Sequence, residues 1–557
     1  MYSYLNKFLL VLLIAIIVTP IFFGILGFLL PSFGYFPILD KYEFSLNYFV
    51  ISSNIPGVSK SIFLSFFTGF VSTLLALILS QVIILNIFET KLYKLIKKII
   101  APLLAMPHVT MAIGLIFIFT PSGLFFRIFS PWLTGFERPP NFFIIPDDYG
   151  FFLILGLVLK EIPFFILVSI SAIEQFSAKK IFNVGKSLQH SVFSVWCFLL
   201  FPLIYRRIRL IVFIVIAFTA SVVDMSLLLA PSTPSTLAIQ ILQKYQASET
   251  NSLFIASNLA LIQLLVIIIL ILFWVLIEKI VSHKLFFTIF VNCLTFKNNL
   301  IKNLTFIIVS ILFFLSLLVL ISSFLWSLAG DWYFPNFLPK TLDIQNLVEF
   351  FNENKKIIFS SIVISLIVSL LACLFVILWV ELTDGLKKKI QYIEWFIFLP
   401  LFIPQISFLI GIQSFLIPLN FSDFLVPLIF VELLYVIPYC FIILVPSLRE
   451  ISKDFLKVAA SLGKNKFEIL IFIKIPMIMP TFLLSIAIGM LVSFALYTPV
   501  YFIGAGRVTT LTVEALNLAL SGSKQDLGVA TFFQVIIPIL ILLIVGWYNN
   551  NFLKWKF

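Results

Sequence analysis

The sequence predicts an all-α polytopic membrane protein with about twelve transmembrane helices, arranged as two parallel six-helix repeats. Three observations carry that expectation. At 61% hydrophobic and 11% charged, the chain of 557 residues has too little polar surface to cover a soluble globule of its length. Twelve apolar segments come near the ~20 residues that a spanning helix needs. Finally, several short motifs recur with the same internal spacing in the two halves, most of them 274 or 275 residues apart.

In chain order, the spans are expected at roughly 8–30, 61–88, 102–120, 151–173, 208–230, 256–278, 307–327, 357–380, 393–417, 425–446, 478–505 and 531–549. The first follows Lys7, is longer than a signal-peptide core and lacks a small-residue cleavage site, so it is expected to stay as a helix. The net charge of +12 is not gathered into a basic domain but sits in short runs between apolar segments, which argues for topology and against nucleic acid. With the N-terminus inside, Lys and Arg concentrate on the inner side, and both termini are expected in the cytoplasm. The densest runs, Lys91 to Lys98 and Lys387 to Lys389, read as interfacial anchors touching anionic lipid. Cys197, Cys293, Cys373 and Cys440 have no CxxC or metal-ligand spacing and read as small core residues.

The repeat divides the chain into a first six-helix unit (1–280), a cytoplasmic linker (281–306) and a second six-helix unit (307–557). Its marks run through both units. Pro107 and Gly114 keep the spacing of Pro404 and Gly411; Ile162-Pro163 recurs as Ile437-Pro438, and Ser235-Thr236-Leu237 as Thr509-Thr510-Leu511. An even number of spans per copy keeps both copies in one orientation, so a pseudo-twofold axis should run along the membrane normal with a substrate path beside it. The main difference is an extra stretch of about twenty residues around Pro121 to Gly150, expected outside as an ordered loop on the membrane surface.

Two polar loops stand out from the apolar background. The second reads KVAASLGKNKFEILIFIKIP from Lys457 to Pro476, the first NVGKSLQHSVFSVWCFLLFP from Asn183 to Pro202. Gly463 and Gln189 occupy the same place in the two copies, each thirteen residues before the proline. Val458, Ala459, Ala460 and Leu462 offer a small apolar face, Gly463 permits a sharp turn, and Lys464 and Lys466 stay solvated. Such a loop can pass force from a soluble motor to the spans on either side.

Intramembrane polar residues are the candidate substrate contacts, because burying them is expensive. Asp224 is either a contact for a cationic substrate or a structural carboxylate bonded to Ser221 or Ser226. Lys160 and Glu161 diverge by about 100° on a helix and need partners elsewhere. Glu432 and Tyr435 share a helix face, as do Tyr497 and Tyr501, whose rings suit either a flat ligand or inter-helix packing. His108, with no second ligand at metal spacing, reads as a helix-packing hydrogen-bond donor, and His190 and His283 carry no catalytic pattern. No metal site, bound cofactor or catalytic residue is expected.

At the two loops the chain resembles the permease subunits of ABC importers that work with binding proteins, whose cytoplasmic EAA loop carries small residues, a glycine and a proline at a fixed distance. Ala459, Ala460, Leu462, Gly463 and Pro476 match that signature, while Lys457 replaces its acidic residue. In the first copy Asn183 stands for the acid, Gly185 for a small residue, Leu188 for Leu462 and Gln189 for the glycine. The fused layout is similar to the thiamine and ferric-iron group. Segments such as LLAMPHVTMAIGL and SVVDMSLLLAPSTPSTLA look like its thiamine-type inner-membrane permeases.

The resemblance implies a type I importer permease fold in the bacterial inner membrane. It further implies two copies of a cytoplasmic ABC ATPase docked in the loops, a periplasmic substrate-binding protein, and thiamine or a related small molecule as substrate. The chain has no GxxxxGK[ST] phosphate loop, so ATP is expected to be used by the partner subunit and this chain to be a non-catalytic one. The alternative from another class is an ion-coupled secondary transporter of twelve spans, which would have no reason to keep two loops with one spacing.

Overall fold

The computed structural model describes residues 2–93, 96, 100, 104, 106–188, 190–282, 299–383, 393–416, 424–522 and 524–551. Most of the expected linker 281–306, the run Lys387 to Lys389, His283, Cys293 and Gln189 lie outside the described residues.

The described chain is helical, with two isolated bridges as its extended pairing. The helices that define the first half are α1 (Tyr2–Ser32), α2 (Val58–Ile87), α3 (His108–Phe119), α4 (Phe151–Glu174), α5 (Ala178–Ser187), α6 (Phe201–Ser221), α7 (Asp224–Leu229), α8 (Leu237–Gln246) and α9 (Thr250–Ser282). Those of the second are α10 (Asn299–Leu328), α11 (Gln345–Thr383), α12 (Gln405–Leu416), α13 (Leu425–Glu450), α14 (Lys453–Ser461), α15 (Met479–Ala495), α16 (Thr498–Gly504), α17 (Leu511–Ser521) and α18 (Lys524–Asn551).

Among the described residues, nine helices are long and apolar enough to cross a membrane, or eleven if two bent pairs each count as one span. Those pairs bend by 104° between Phe402 and Gln405 and by 81° between Met477 and Met479. The fifth expected segment falls short because α6 carries Arg206, Arg207 and Arg209 in its first turns. It is also not continuous over 208–230. α6 ends at Ser221, Val222 is extended (φ −60°, ψ 132°), and α7 starts at Asp224. The expected span 478–505 breaks in the same way, with Leu496 at φ −70°, ψ 118° and α16 starting at Thr498. The third expected span starts at His108 rather than 102, because Pro107 takes an extended backbone at the helix N-cap. α11 begins at Gln345, twelve residues ahead of the expected 357.

The repeat is carried by hydrogen bonds as well as by helix order. Leu237 N donates to Ser65 Oγ at 2.9 Å, and Leu511 N donates to Ser361 Oγ at 2.8 Å. Pro163 and Pro438 lie inside α4 and α13. Five-residue π-helical segments, Trp196–Leu200 and Leu470–Lys474, precede α6 and α15 at equivalent places.

The two halves are interlocked through their first helices. α1 packs along α12 of the second half, and α10 packs along α3 of the first. The crossings are close because small residues let the backbones approach. A Cβ on Gly27 would collide with the Gly411 backbone, and one on Gly114 with Val319. Ser414 Oγ reaches Gly27 O at 3.2 Å, and Phe23 stacks on Phe415 with ring centroids 4.0 Å apart.

The 121–150 stretch is fastened to the second half. Arg127 donates to the carbonyls of Ser122 (2.8 Å), Asn336 (2.8 Å), Tyr333 (3.1 Å) and Trp332 (3.3 Å). At its far end Asp147 caps α4, accepting the N–H groups of Phe151 at 2.8 Å and Phe152 at 3.0 Å.

Candidate functional site

Two places bring the candidate residues together: a cavity between the halves, and the pair of loops at one end of the molecule.

The cavity, about 230 Å³, lies between α4 and α6 of the first half and α13 and α15 of the second, with the N-terminal ends of α3 and α12 at its wall. Its charged residues all come from the first half. Lys160, almost fully buried, donates to the carbonyls of Leu104 at 2.9 Å and Met106 at 2.5 Å. These two acceptors explain how an ammonium is held there without its sequence neighbour. Glu161 instead faces His108, with Oε1 3.6 Å from Nε2, and the His108 ring lies 4.7 Å from that of Phe218. Asp224 opens α7 at the helix break and accepts the Met225 N–H at 2.9 Å. Neither serine holds it: Ser221 donates to Ala217 O at 2.7 Å and Ser226 to Val222 O at 2.8 Å. The carboxylate therefore remains on the cavity wall.

The second half supplies neutral groups. Gln405 stands at the repeat position of His108 and Thr498 at that of Asp224, and Thr498 Oγ1 donates to Gln405 Oε1 at 2.9 Å. Tyr435 stands at the position of Lys160; it is buried and lines the cavity, and its hydroxyl has no hydrogen-bond partner among the described residues. Tyr439 and Tyr497 complete the aromatic part of the lining.

Of the candidates read from sequence, Glu161, Asp224, Tyr435 and Tyr497 thus meet at one cavity. Glu432 does not line it; it is fully buried and accepts from Ser493. Tyr501 faces a second cavity of about 330 Å³ nearer the end opposite the loops, and its ring stacks on Tyr497 at 5.5 Å. Sequence reasoning missed Gln405, Tyr439 and Thr498. The repeat register was the signal that would have found Gln405 and Thr498, because each is the partner position of a charged residue already singled out.

In the loops, α5 and α14 occupy equivalent places and present equivalent residues. Val184 and Leu188 are exposed in the first, Val458 and Leu462 in the second, with Leu188 at 64% and Leu462 at 75%. Gly185 and Ala459 point inward; a Cβ on Gly185 would come within 2.6 Å of Val195 Cγ2, which accounts for the small residue. The apolar face expected over Val458 to Leu462 is therefore divided, Ala459 serving the interior and Val458, Ala460 and Leu462 the surface. Asn183 and Lys457 are exposed at matching positions. Gly463 has φ +80°, a backbone that glycine adopts without cost.

Each loop re-enters a helix through its own cap. Ser191 Oγ accepts the Ser194 N–H at 3.1 Å. Asn465 and Glu468 form a reciprocal capping box, with bonds of 2.8 and 2.9 Å. A lysine ties each loop to the end of the second helix of its half: Lys186 to Glu89 at 3.3 Å, and Lys474 to Glu381.

Residues 386–554, which include the second loop, match the family described as binding-protein-dependent transport system inner membrane component. The chain is also 24% identical over 444 residues to the inner membrane ABC transporter permease protein YnjC of Escherichia coli (strain K12), an alignment covering 79% of this chain and 78% of that protein. Together with the many-pass helical fold and its duplicated half, these matches support an ABC importer permease of the inner membrane, a non-catalytic transport subunit in a system where a separate ATPase hydrolyses ATP.

Proposed function

We propose that this chain forms the substrate path of an ATP-driven, binding-protein-dependent importer, its two halves acting as two fused permease units. The loops around α5 and α14 are the docking sites for two copies of a cytoplasmic ABC ATPase, which places both termini in the cytoplasm. Asn183, Gly185, Leu188 and Gln189 serve one ATPase; Lys457, Ala459, Ala460, Leu462 and Gly463 serve the other. A periplasmic binding protein delivers substrate to the opposite end. ATP-driven closure of the ATPase pair draws the loops together and rocks the halves about the central cavity. Asp224 and Glu161 there favour a cation, and the tyrosines beside them suit a flat ring. Thiamine or a related small molecule, implied by the resemblance to thiamine-type permeases, has that character.

The observation that carries the docking reading is the pair of leucines. A side chain 64% or 75% exposed on a polar loop helix gains nothing for the isolated chain, yet it recurs at the same repeat position. Exposed apolar residues that recur in this way fit contact with a partner. The test is purification of the tagged chain from cells that express its candidate ATPase. Leu188→Asp and Leu462→Asp should each lower ATPase recovery and the double variant should abolish it, with the amount of permease unchanged. Full recovery by the double variant would overturn the docking reading.

A further inference from the structure

The second cavity is not explained by the central site. It lies between α8 of the first half and the segment from Val500 to Val513 of the second, at the end opposite the loops. Its volume is about 330 Å³, and its polar lining comes from Tyr245, Gln246, Gln413, Tyr501, Thr509 and Asn517. None of its lining residues is charged among those described. Arg507, beside it in sequence, is turned on to the Phe424 ring, 4.3 Å from the centroid.

The two cavities meet at one pair of rings. Tyr497 belongs to the wall of the central cavity and Tyr501 to that of the outer one, and the two stack at 5.5 Å with their planes 28° apart. The Tyr501 hydroxyl takes a hydrogen bond from Gln246 Nε2, across the boundary between the halves. One residue earlier in α8, Tyr245 donates to Gln413 Oε1 at 2.6 Å, again across the boundary. The repeat positions of Tyr245 and Gln246 in α17 are Ala519 and Leu520, which cannot make such bonds. The polar seam therefore exists on one side of the pseudo-axis only.

We infer that the outer cavity is a separate binding site on the path, a vestibule that holds a substrate by its uncharged hydrogen-bonding and planar groups. The Tyr497–Tyr501 stack, latched by Gln246, is the partition between this vestibule and the charged central site. Passage then has two stages: recognition without regard to charge, followed by selection for a cation once the latch opens. The inference rests on reading the chain as a permease, but its test does not depend on any ATPase contact.

The test is thiol labelling of the full chain in intact cells, in a background with Cys197, Cys293, Cys373 and Cys440 replaced by Ala. Asn517→Cys reports the vestibule and Ser221→Cys the central cavity, and the probes are membrane-impermeant cationic and anionic methanethiosulfonates normalised to a small thiol in solution. Asn517→Cys should react with both reagents at rates within about threefold of each other. Ser221→Cys should be at least tenfold slower than Asn517→Cys. Adding Tyr497→Ala and Tyr501→Ala should bring Ser221→Cys to a comparable rate with the cationic reagent only, leaving Asn517→Cys labelling as a control that the protein remains folded. Equal labelling of the two positions in the parent, or no gain at Ser221→Cys when both rings are removed, would overturn the partition. Strong charge preference at Asn517→Cys would overturn the neutral vestibule. Labelling of Asn517→Cys only after permeabilisation would instead reverse the membrane orientation, which is a failure of the permease reading and leaves the order of the two chambers measurable from the other side.

Discussion

Around the central cavity the first half places His108, Lys160 and Asp224 where the second places Gln405, Tyr435 and Thr498. At the last pair the backbone is closely alike: Val223 and Tyr497, which immediately precede Asp224 and Thr498, have φ/ψ of −100°/−53° and −94°/−56°. The two halves share this local scaffold and differ in its chemistry. The physical reason is electrostatic. An Asp at position 498 would add a third buried carboxylate to Glu161 and Asp224 about one small cavity, and like charges in a low-dielectric site repel strongly. One charged wall and one neutral wall give the cavity a direction that a symmetric pair would lack.

The comparison can be broken most severely at Asp224. Asp224→Asn keeps the shape and removes the charge, and transport by the assembled complex should fall about tenfold or more, the scale of one lost charge-assisted contact. The amount of permease in the membrane should not change; uptake equal to that of the parent would remove the carboxylate from the path. A smaller effect is expected from Thr498→Val, which breaks the bond to Gln405 on the neutral wall. Stability should drop by about 1 kcal/mol, read as a lower thermal midpoint in detergent, with uptake retained. A loss of transport matching that of Asp224→Asn would mean that the walls are equivalent after all.

The smallest effect concerns the loops. The Asn465 backbone N–H, assisted by Lys464, holds the Glu468 carboxyl below its usual value. A depressed carboxylate contributes stability that is complete above the ordinary glutamate range and is lost as pH falls through the folded value. The Ser191 cap of the first loop does not titrate. Amide exchange protection at Glu468 should therefore decline between pH 7 and pH 4 relative to Ser194, and parallel curves would show that the two caps behave alike.

Much of this arrangement was legible in the sequence, for reasons that differ by region. The loops were readable because a polar stretch between apolar spans is conspicuous and its thirteen-residue step recurs. The starts of α3 and α12 were misread: Pro107 and Pro404 fall inside the spans expected at 102–120 and 393–417, although proline forces the preceding backbone out of the helix. The breaks after Ser221 and Ala495 were hidden: Val222-Val223 and Leu496-Tyr497 continue the apolar run, and only Pro499 hinted at the second break. The exchange of first helices left a trace in Gly24, Gly27 and Gly411 but none that named the partner. Within the cavity an acid in an apolar segment was visible by itself. Gln405 and Thr498 were not, because neutral polar side chains are common in spanning helices and gain meaning here from their position opposite the charges.

The crossing of α1 with α12 also sets a schedule for biosynthesis. Ser414 and Gly27, which touch in the finished protein, are 387 residues apart in the chain. At the usual pace of translation α1 waits roughly 20 to 80 s before its partner helix is made. During that interval the face carrying Gly24 and Gly27 is covered by lipid or by an insertion chaperone. A truncated first half would keep that face open indefinitely, and it would be a target for membrane quality control, not a smaller working permease.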